Sequence, residues 1–593
     1  MRYSAPELLE GRIAPAALVN STTVTYFDID GDLVTVKTSA GTFTEAMFQF
    51  DTAEFDEAGP QQLRLLDISA ATGIDLATLS ITAKKVSGGS GDGLVNVGAI
   101  IADVDLTSVT VGGDLGRIVA GGVADGSAYG LGILKVESLG AKAPASQGAT
   151  IDLHSVITGN LDLLTTKTDV RGYLDVTGEL VLATIGRDIS GLDSETASGV
   201  IEAGSIGYIR VAGSITDLFS GSADSSGIKS DTTIGNIYVS GELRGGGEIG
   251  GAFISAKGAV GKVTIAGGIH GGATDTATIS IDGAVDSITI GKEISGGSNG
   301  SASITTGPLR SLLVKGSIQG GGDETAQIIV NGDLGAARVT GALSGGGLES
   351  AVIESTGSIG KISLGAIDGG SDRSAQISAE GAIGSISVIG DISGGGDESA
   401  SISAGSIGKL KVGGSVNGGN IDSARIEAGS IGSVFIKGAL VGGDNDSAVI
   451  SAGEIGRVTI KQDMIGGGNF SGSISAEGNI GSVIVGGKLE GSGENSARIS
   501  AGGTIGKVRI TGSMEGAVSG SASIYSGGDI KYVRVGGNLE GGSYDTAAIR
   551  AEGTIGKVVI NGSLNGTAQG SASVISNAAP DESSPLAIGR VVI

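Results

Sequence analysis

The sequence predicts an all-β protein: a right-handed parallel β-helix (β-solenoid) with 24–25 residues per coil and a small N-terminal β-hairpin cap. Three observations predict it: the composition, a motif that repeats every 24–25 residues, and apolar residues at period two within each repeat. Glycine supplies 112 of the 593 residues, and each costs about 1 kcal/mol in a helix interior. Aromatic residues make up 3%, too few to fill a wide globular core.

A Ser or Thr opens the motif that recurs through the second half of the chain. Alanine follows it in nearly every repeat and isoleucine stands three residues after it, as in Ser399-Ala400-Ser401-Ile402. The Ser/Thr positions are 276, 301, 325, 350, 374, 399, 423, 447, 471, 496, 521, 546 and 571. One repeat buries too little apolar surface to fold alone, so successive repeats must stack, as they do in solenoids.

Residues 480–504 illustrate one coil. Apolar or small residues at period two face one side of short strands, namely Val483, Val485, Leu489, Ala497, Ile499 and Ala501. Alanine at two of these positions predicts a narrow interior. Pairs such as Gly486-Gly487 and Gly502-Gly503 are expected at corners, where glycine tolerates a positive φ. A leucine-rich repeat lacks support because no helix-forming half is present, and GGGDESASI (394–402) occurs once per coil rather than in tandem, unlike a nonapeptide calcium repeat.

Composition and spacing divide the chain into five segments. We expect a leader at 1–21, a small β cap at 22–69, irregular coils at 70–258, regular coils at 259–579 and a partial last coil at 580–593. In the cap, TTVTYFDIDGDLVTVKT (22–38) reads as two alternating strands joined by a type I′ turn at Asp30-Gly31. Four of the nine phenylalanines (Phe43, Phe48, Phe50 and Phe55) predict a separate small core there.

Calcium is the one candidate ion, and no organic cofactor is expected. Asp28, Asp30 and Asp32 could form a small calcium loop, because D-x-D-G-D clusters carboxylate oxygens, although a plain hairpin turn explains the same residues. A second candidate set lies beside the Ser/Thr positions and comprises Asp397, Glu398, Asp422, Asp444 and Asp446. The alternative to calcium binding is that these five acids are ordinary polar residues of the turns.

Basic residues stand on every second coil, two residues after a repeat isoleucine. The positions read Lys361, Ser385, Lys409, Ser433, Arg457, Ser482 and Lys507. Like charges on adjacent strands repel, so the alternation is interpreted as a solvated face arranged to limit that repulsion.

Charge and composition exclude several classes of function. The formal net charge of −25 disfavours contact with nucleic acid phosphates. The absence of cysteine excludes disulfides and thiolate metal sites, and two histidines cannot build a histidine-rich zinc site. No apolar run reaches the ~18 residues of a membrane helix, so no transmembrane segment is expected. The first twenty residues lack the apolar core of an ordinary signal peptide, so export would use another signal or the natural start lies upstream.

Catalysis is a possible function, because parallel β-helices include pectate-lyase-like and polygalacturonase-like enzymes. Such sites gather unlike carboxylates in a groove walled by long loops, whereas coil length varies by one residue between 276 and 571. The irregular coils could form a groove around Asp152, Asp162, Asp169 and Arg171. His154 and His270 are isolated in the sequence and are interpreted as loop or surface residues.

Several short segments resemble those of a known group of proteins. LLEGRIAPA (Leu8 to Ala16), VTYFDIDGDLVTVK (Val24 to Lys37), GDLGRI (Gly113 to Ile118) and the Ile-Gly-Lys-Val coils are similar to the large repeat surface proteins of planctomycete and verrucomicrobial bacteria, with Gly11 where their leader has proline. The chain also resembles autotransporter passenger domains in general shape. The resemblance implies export and an extracellular or cell-surface location associated with the outer membrane.

Three functional hypotheses follow. The first is a secreted or cell-surface structural or adhesive rod with no catalytic activity, which presents its surface to a polysaccharide or to a host or cell receptor. The second is a carbohydrate-active β-helix enzyme, a polysaccharide lyase or hydrolase. The third is a self-assembling fibre or surface-coat subunit that stacks end to end through its open coils.

Overall fold

The computed structural model describes residues 16–51, 55, 59–87, 90–122, 129–148, 151–191, 198–217, 226–246, 251–272, 274, 276–578 and 587–593. The chain folds as a parallel β-solenoid of about 19 turns, with 54% of its residues in strands and 1% in helix, and this confirms the predicted fold class. Two compact units are present: Met1–Gly267 with Thr276–Gly283, and Gly268–Asp275 with Ala284–Ile593.

The first unit begins with antiparallel strands around a short 3₁₀ helix, Glu45–Met47. These strands are β1 Ala17–Asn20, β2 Thr23–Phe27, β3 Leu33–Thr38, β4 Phe48–Phe50, β5 Leu63–Asp67 and β6 Ala77–Lys84. β2 and β3 form the predicted hairpin. β1, within the expected leader, pairs with β2, and residues 1–15 lie outside the described part of the chain. β6 pairs antiparallel with β3 and parallel with β8, so the change to parallel pairing occurs within this strand.

The remaining strands up to residue 265 are parallel and vary in length. They are β7 Val97–Ile101, β8 Leu106–Val111, β9 Asp114–Ala120, β10 Tyr129–Val136, β11 Ser138–Leu139, β12 His154–Ile157, β13 Asn160–Thr166, β14 Tyr173–Ile185, β15 Ile189–Ser190, β16 Val200–Val211, β17 Ile215–Asp217, β18 Ser226–Ser230, β19 Ile234–Val239, β20 Leu243–Gly245, β21 Ala252–Ala256 and β22 Val260–Ile265. One short helix, α1 Ala143–Ser146, lies among them.

The strands from residue 269 onward repeat almost without variation, and all but β24 belong to the second unit. They are β23 Ile269–Gly271, β24 Thr278–Ile281, β25 Val285–Ile290, β26 Ile294–Gly296, β27 Ile304–Thr306, β28 Leu309–Val314, β29 Ile318–Gly320, β30 Ile328–Val330, β31 Leu334–Val339, β32 Leu343–Gly345, β33 Ile353–Ser355, β34 Ile359–Leu364, β35 Ile367–Gly369, β36 Ile377–Val388, β37 Ile392–Gly394, β38 Ile402–Val412, β39 Val416–Gly418, β40 Ile426–Ile436, β41 Leu440–Gly442, β42 Ile450–Ile460, β43 Met464–Gly466, β44 Ile474–Ala476, β45 Ile480–Val485, β46 Leu489–Gly491, β47 Ile499–Ala501, β48 Ile505–Ile510, β49 Met514–Gly516, β50 Ile524–Ser526, β51 Ile530–Val535, β52 Leu539–Gly541, β53 Ile549–Ala551, β54 Ile555–Ile560, β55 Leu564–Gly566, β56 Val574–Ser576 and β57 Ile588–Val592. Residues 579–586, which include the first part of the expected partial last coil, lie outside the described residues.

A regular coil contributes three strands, as β47, β48 and β49 show, or two where the first two are continuous, as in β38 and β39, and each strand pairs in register with its counterpart in the next coil. Aliphatic side chains at period two fill the interior. In the coil of residues 480–504 the predicted inward residues are all buried, among them Val483, Leu489 and Ile499 at 0% exposure. The two alanines, Ala497 and Ala501, are therefore part of the core.

The corners depart from the sequence-based expectation. Gly486-Gly487 and Gly502-Gly503 do not have positive φ values. The left-handed positions are instead the residue before the repeat Ser/Thr and the alanine after it, as at Asn495 (φ 54°) and Ala497 (φ 49°). The acidic positions beside the Ser/Thr are therefore turn positions, and glycine replaces the acid at some of them because it adopts this conformation without strain.

Close approach between neighbouring coils explains many of the glycines. In the series of short strands that includes β29, β32 and β35, the third residue is glycine and faces the Ser/Thr of the following coil. A Cβ on Gly369 would lie 2.6 Å from the Ser399 Cβ. The Ser399 hydroxyl is itself buried and donates to the Gly396 carbonyl at 2.6 Å. Glycine and Ser/Thr thus interlock from one coil to the next.

The basic residues alternate with serine in the observed register. Lys409 pairs with Ser385 on one side and with Ser433 on the other, and Ser433 pairs next with Arg457. None of these four side chains is buried: Lys409 and Arg457 are exposed, and Ser385 and Ser433 are half-buried. The structure therefore places a serine between successive basic residues in the stack of strands, as the sequence predicted.

Candidate metal centre

The best-defined cluster of metal-ligating groups lies in the loop of the first hairpin. β2 and β3 are joined by residues 28–32, closed by the Asp28 amide donating to the Asp32 carbonyl at 3.0 Å. Gly31 has φ +94°, but Asp30 is not in the left-handed region, so the predicted type I′ turn is wrong. Residues 28–32 instead form a longer loop, in which the Asp28 carbonyl accepts the Gly31 amide at 3.1 Å.

This loop brings the three predicted aspartates together. One carboxylate oxygen from each of Asp28, Asp30 and Asp32 lies within 4.8 Å of the other two. Asp32 is 0% exposed and Asp28 is 8% exposed, whereas Asp30 is half-buried. The hairpin and the carboxylate cluster, which were alternatives for the sequence, are both present.

A second loop packs directly against the cluster, and the sequence did not indicate it. The Asp92 amide donates to Asp30 Oδ2 at 3.1 Å, and the Ser90 hydroxyl donates to the Asp30 carbonyl at 3.1 Å. The Gly93 amide donates to Asp32 Oδ2. A Cβ on Gly91 would collide with the Asp32 carboxylate, so only glycine allows this approach. The acidic, glycine-rich stretch around Asp92 was the available signal, but no spacing rule connects it to Asp30.

Burial and mutual repulsion shift the titration of these groups. Burial raises the pKa of Asp28 to about 7, and the hydrogen bond with the Asp30 side chain and the charges of Asp30 and Asp32 also raise it. The Asp32 amide, 2.7 Å from Asp28 Oδ1, acts in the opposite direction. The pKa of Asp30 is lowered, chiefly because its carboxylate accepts the hydrogen bond from Asp28.

Aromatic residues of β2, of β4 and of the segment before β4 pack together. Tyr26 and Phe50 pack edge to face with ring centroids 4.9 Å apart, and Phe48 packs likewise on Phe43 at 5.3 Å. The predicted phenylalanine core is therefore present. The Tyr26 hydroxyl is buried, and burial followed by the charge of Asp28 raises the pKa of Tyr26.

The second predicted set of acids is arranged differently. In the part of the chain that the structure describes, the only group of three metal-ligating side chains lying this close together is the hairpin triad. Asp422 forms an ion pair with Arg425 at 2.7 Å. The pKa of Asp446 is raised, chiefly by burial and also by the charge of Asp422. Asp397, Glu398 and Asp444 are exposed along the turns.

The residues considered for catalysis in the irregular coils have separate partners. Asp152 pairs with Arg117, Asp169 pairs with Arg187, and Asp162 is exposed. The Arg171 side chain is half-buried, and the structure does not bring it into an ion pair with these acids among the described residues.

The two histidines contact neighbours on adjacent strands. His154 lies 3.9 Å from Asp175 and packs on the Tyr173 ring. His270 Nδ1 lies 2.8 Å from the Ser295 hydroxyl, and its Nε2 lies 3.8 Å from Glu293. Ser295 is the register partner of His270, so strand stacking accounts for this contact.

No known protein family matches the chain, and no curated protein or solved structure is detectably similar to it. Among the described residues, no helix has the length and apolar character needed to cross a membrane.

Proposed function

We propose that the chain is a secreted or cell-surface structural and adhesive rod that has no catalytic activity. The supporting observation is the regularity of the second unit, where coil after coil repeats the same register and buries aliphatic or small side chains at the same positions. The buried residue can change, as from Val416 to Leu440 to Met464, but among the described residues of this unit no charged side chain is buried. Such a scaffold suits the presentation of an extended surface better than the assembly of one set of unlike reactive groups.

Shallow depressions on one face of the second unit support an adhesive role. One of about 610 Å³ is lined largely by serine, alanine and glycine, together with Arg425, Glu427 and Glu477. Farther along, Arg498 stacks on the Tyr525 ring with its guanidinium carbon 4.8 Å from the centroid, and Phe470 is 47% exposed. Hydroxyl groups beside exposed rings are the chemistry that binds sugar chains, so a surface polysaccharide is the partner class we propose.

The location is proposed from the resemblance of the leader and hairpin segments to exported bacterial surface proteins. Antibody labelling of intact source cells, with permeabilised cells as the control, tests it. Labelling that requires permeabilisation would overturn the surface assignment.

Binding and catalysis are separated by incubating the full chain with a panel of polysaccharides. We expect binding, weakened in Tyr525→Ala but unchanged in Tyr544→Ala, which removes an exposed ring that does not line these depressions. We expect no release of reducing ends or unsaturated sugars. Release that disappears in Ser295→Ala would refute the non-catalytic proposal and assign the reaction to the contact between Ser295 and His270.

Self-assembly is the remaining alternative, and sedimentation across a range of protein concentrations tests it. A fibre or coat subunit would sediment faster as concentration rises, whereas an isolated rod would not.

A further inference from the structure

We propose that Asp28, Asp30 and Asp32 bind one calcium ion, and that this ion fastens the β2–β3 hairpin loop to the loop of residues 90–93. The proposal is independent of the adhesive role and concerns what holds the first unit together.

The negative charge of the triad has no compensating cation among the described residues. No lysine or arginine forms an ion pair with any of the three carboxylates in the described part of the chain, and two of the three are almost completely buried. Burying a carboxylate without a counter-charge or a full set of donors is costly. A bound cation supplies the missing charge.

Other buried carboxylates of the same unit show how the fold treats such groups. Asp169 is paired with Arg187. Asp114, at 2% exposure, accepts hydrogen bonds from the Ser138 hydroxyl at 2.6 Å and from the Ala141 and Lys142 amides at 2.9 Å. The hairpin triad has backbone amide donors but no basic partner among the described residues, and two of its buried oxygens have no donor, which distinguishes it from Asp114 and Asp169.

The fully buried side chain of Asp32 has one carboxylate oxygen without a hydrogen-bond donor among the described residues. Asp32 is 0% exposed, and its Oδ1 has no hydrogen-bond donor among the described residues, while Oδ2 accepts the Gly93 amide. Asp30 Oδ1 is likewise buried and without a donor. Buried polar atoms in native proteins normally have partners. These two oxygens therefore have the free lone pairs that a metal ion would use.

Geometry and ligand type select calcium. Calcium binds oxygen ligands at about 2.3–2.6 Å, so two oxygens on one ion lie at most about 5 Å apart, and the observed separations are within 4.8 Å. The cluster contains carboxylates alone, without the nitrogen or sulfur ligands that zinc favours. Magnesium demands a tighter octahedral arrangement and retains water, so it should compete poorly.

The hydrogen bonds around the triad show what the ion would join. Asp30 and Asp32 contact Ser90, Asp92 and Gly93, which lie about sixty positions later in the chain. Neutralising the triad would remove the repulsion that opposes these contacts. The ion should therefore stabilise the antiparallel strands of the first unit against the segment that precedes β7.

The test uses the full chain, titrated with Ca²⁺ by calorimetry and with Tb³⁺ by luminescence. Tb³⁺ is excited by a nearby tyrosine, and Tyr26 lies two residues before Asp28 with both side chains buried, so binding should give tyrosine-sensitised emission. Asp32→Asn and Asp30→Asn should each weaken Ca²⁺ binding more than about tenfold. Tyr26→Phe should lose most of the emission while keeping the heat of Ca²⁺ binding.

Asp446→Asn is the matched control, because it removes a carboxylate that also lies near another acid, Asp422, but outside the triad. It should leave Ca²⁺ affinity unchanged. Removal of Ca²⁺ should lower the melting temperature of the wild type and of Asp446→Asn. In metal-free buffer Asp32→Asn should melt no lower than the wild type, since it removes a repulsive charge, and added Ca²⁺ should not raise its melting temperature.

The proposal is overturned if calorimetry detects no saturable Ca²⁺ binding, or if both triad variants bind as the wild type does. Tighter binding of Mg²⁺ than of Ca²⁺ would overturn the choice of ion. Because Asp30 is only half-buried, Asp30→Asn keeps the test decisive if Asp32→Asn does not fold, and circular dichroism checks folding of each variant.

Discussion

The interlock between glycine and serine in adjacent coils predicts that alanine destabilises the protein at Gly369 but not at its neighbour Gly370. Gly369 is buried, and a Cβ there would lie 2.6 Å from the Ser399 Cβ, 2.7 Å from the Ala400 amide nitrogen and 2.9 Å from the Ser374 carbonyl oxygen. Gly370 is exposed, and a Cβ there would meet the Gly345 carbonyl oxygen at 3.2 Å. Neither glycine has a positive φ, so backbone strain does not separate them.

The magnitude follows from these distances. Gly369→Ala must displace backbone atoms of the next coil, and overpacking of this kind costs about 1–3 kcal/mol. The loss of freedom in the unfolded chain, about 0.4–1 kcal/mol in favour of alanine, is common to both variants and cancels in the comparison. We therefore expect Gly369→Ala to be less stable than Gly370→Ala by about 1–3 kcal/mol.

Amide hydrogen exchange followed by mass spectrometry is the appropriate assay, since stability in a solenoid is a sum of local terms between neighbouring coils. The Ala400 amide donates to the Ser374 carbonyl at 2.9 Å and reports on this contact. A loss of 1–3 kcal/mol should speed its exchange about 5- to 140-fold. Gly370→Ala should exchange there at the wild-type rate. Equal exchange in the two variants would refute the claim that close packing requires Gly369.

Three further perturbations test other parts of the reasoning. Ser399→Ala removes a buried hydroxyl that donates to the Gly396 carbonyl at 2.6 Å and accepts the Gly396 amide at 3.1 Å, and it should destabilise that coil by about 1–3 kcal/mol, measured by the same exchange experiment. Asp169→Asn should lower the melting temperature at pH 7. Burial alone would raise the pKa of Asp169, but its bonds with Arg187 hold that pKa below the usual value. The ionised Asp169 therefore stabilises the fold above about pH 4, and this contribution is lost on acidification. The difference in melting temperature between Asp169→Asn and the wild type should shrink at acidic pH. Ser433→Lys places a third cation between two basic neighbours and should lower the melting temperature at low salt, with recovery at high salt; a deficit independent of salt would contradict the interpretation of the alternating charges.

The stacking of coils could be predicted from the sequence because two independent periods agree. The 24–25-residue spacing fixes which residues become neighbours, and period two fixes which of them face inward. Ile499 and Ile524 are partners in adjacent strands for this reason. Any error in register would have placed a polar residue in the interior, which the alternating pattern forbids.

The conformation of the corners could not be predicted in the same way. Local rules assign a positive φ to glycine and asparagine, yet Ala400 adopts φ 52° while fully buried. The left-handed conformation costs alanine about 1–2 kcal/mol. The cost is accepted because the Ala400 Cβ packs inside the coil while its amide reaches the Ser374 carbonyl of the preceding coil. That balance exists only in the stack and leaves no local signal.

The candidate metal centre was half predictable for a related reason. Asp28, Asp30 and Asp32 alternate along a hairpin loop, so their proximity could be inferred from local geometry. The approach of Ser90 and Gly93 depends on how β3 and β6 pair, which brings residue 33 opposite residue 84. Long-range pairing of this kind is set by the packing of the whole unit.

That pairing also explains why the hairpin loop matters to the solenoid. The first parallel strand of a β-solenoid would present a row of unpaired backbone groups, and such edges promote association with other chains. Here β6 meets β8 in parallel on one side and β3 of the hairpin on the other, so the hairpin covers that edge. β3 starts immediately after Asp32, whose carboxylate contacts the loop that follows β6. Repulsion within the carboxylate cluster therefore acts on the strand that protects the edge, and a cation bound there would stabilise the cover where the parallel stack begins.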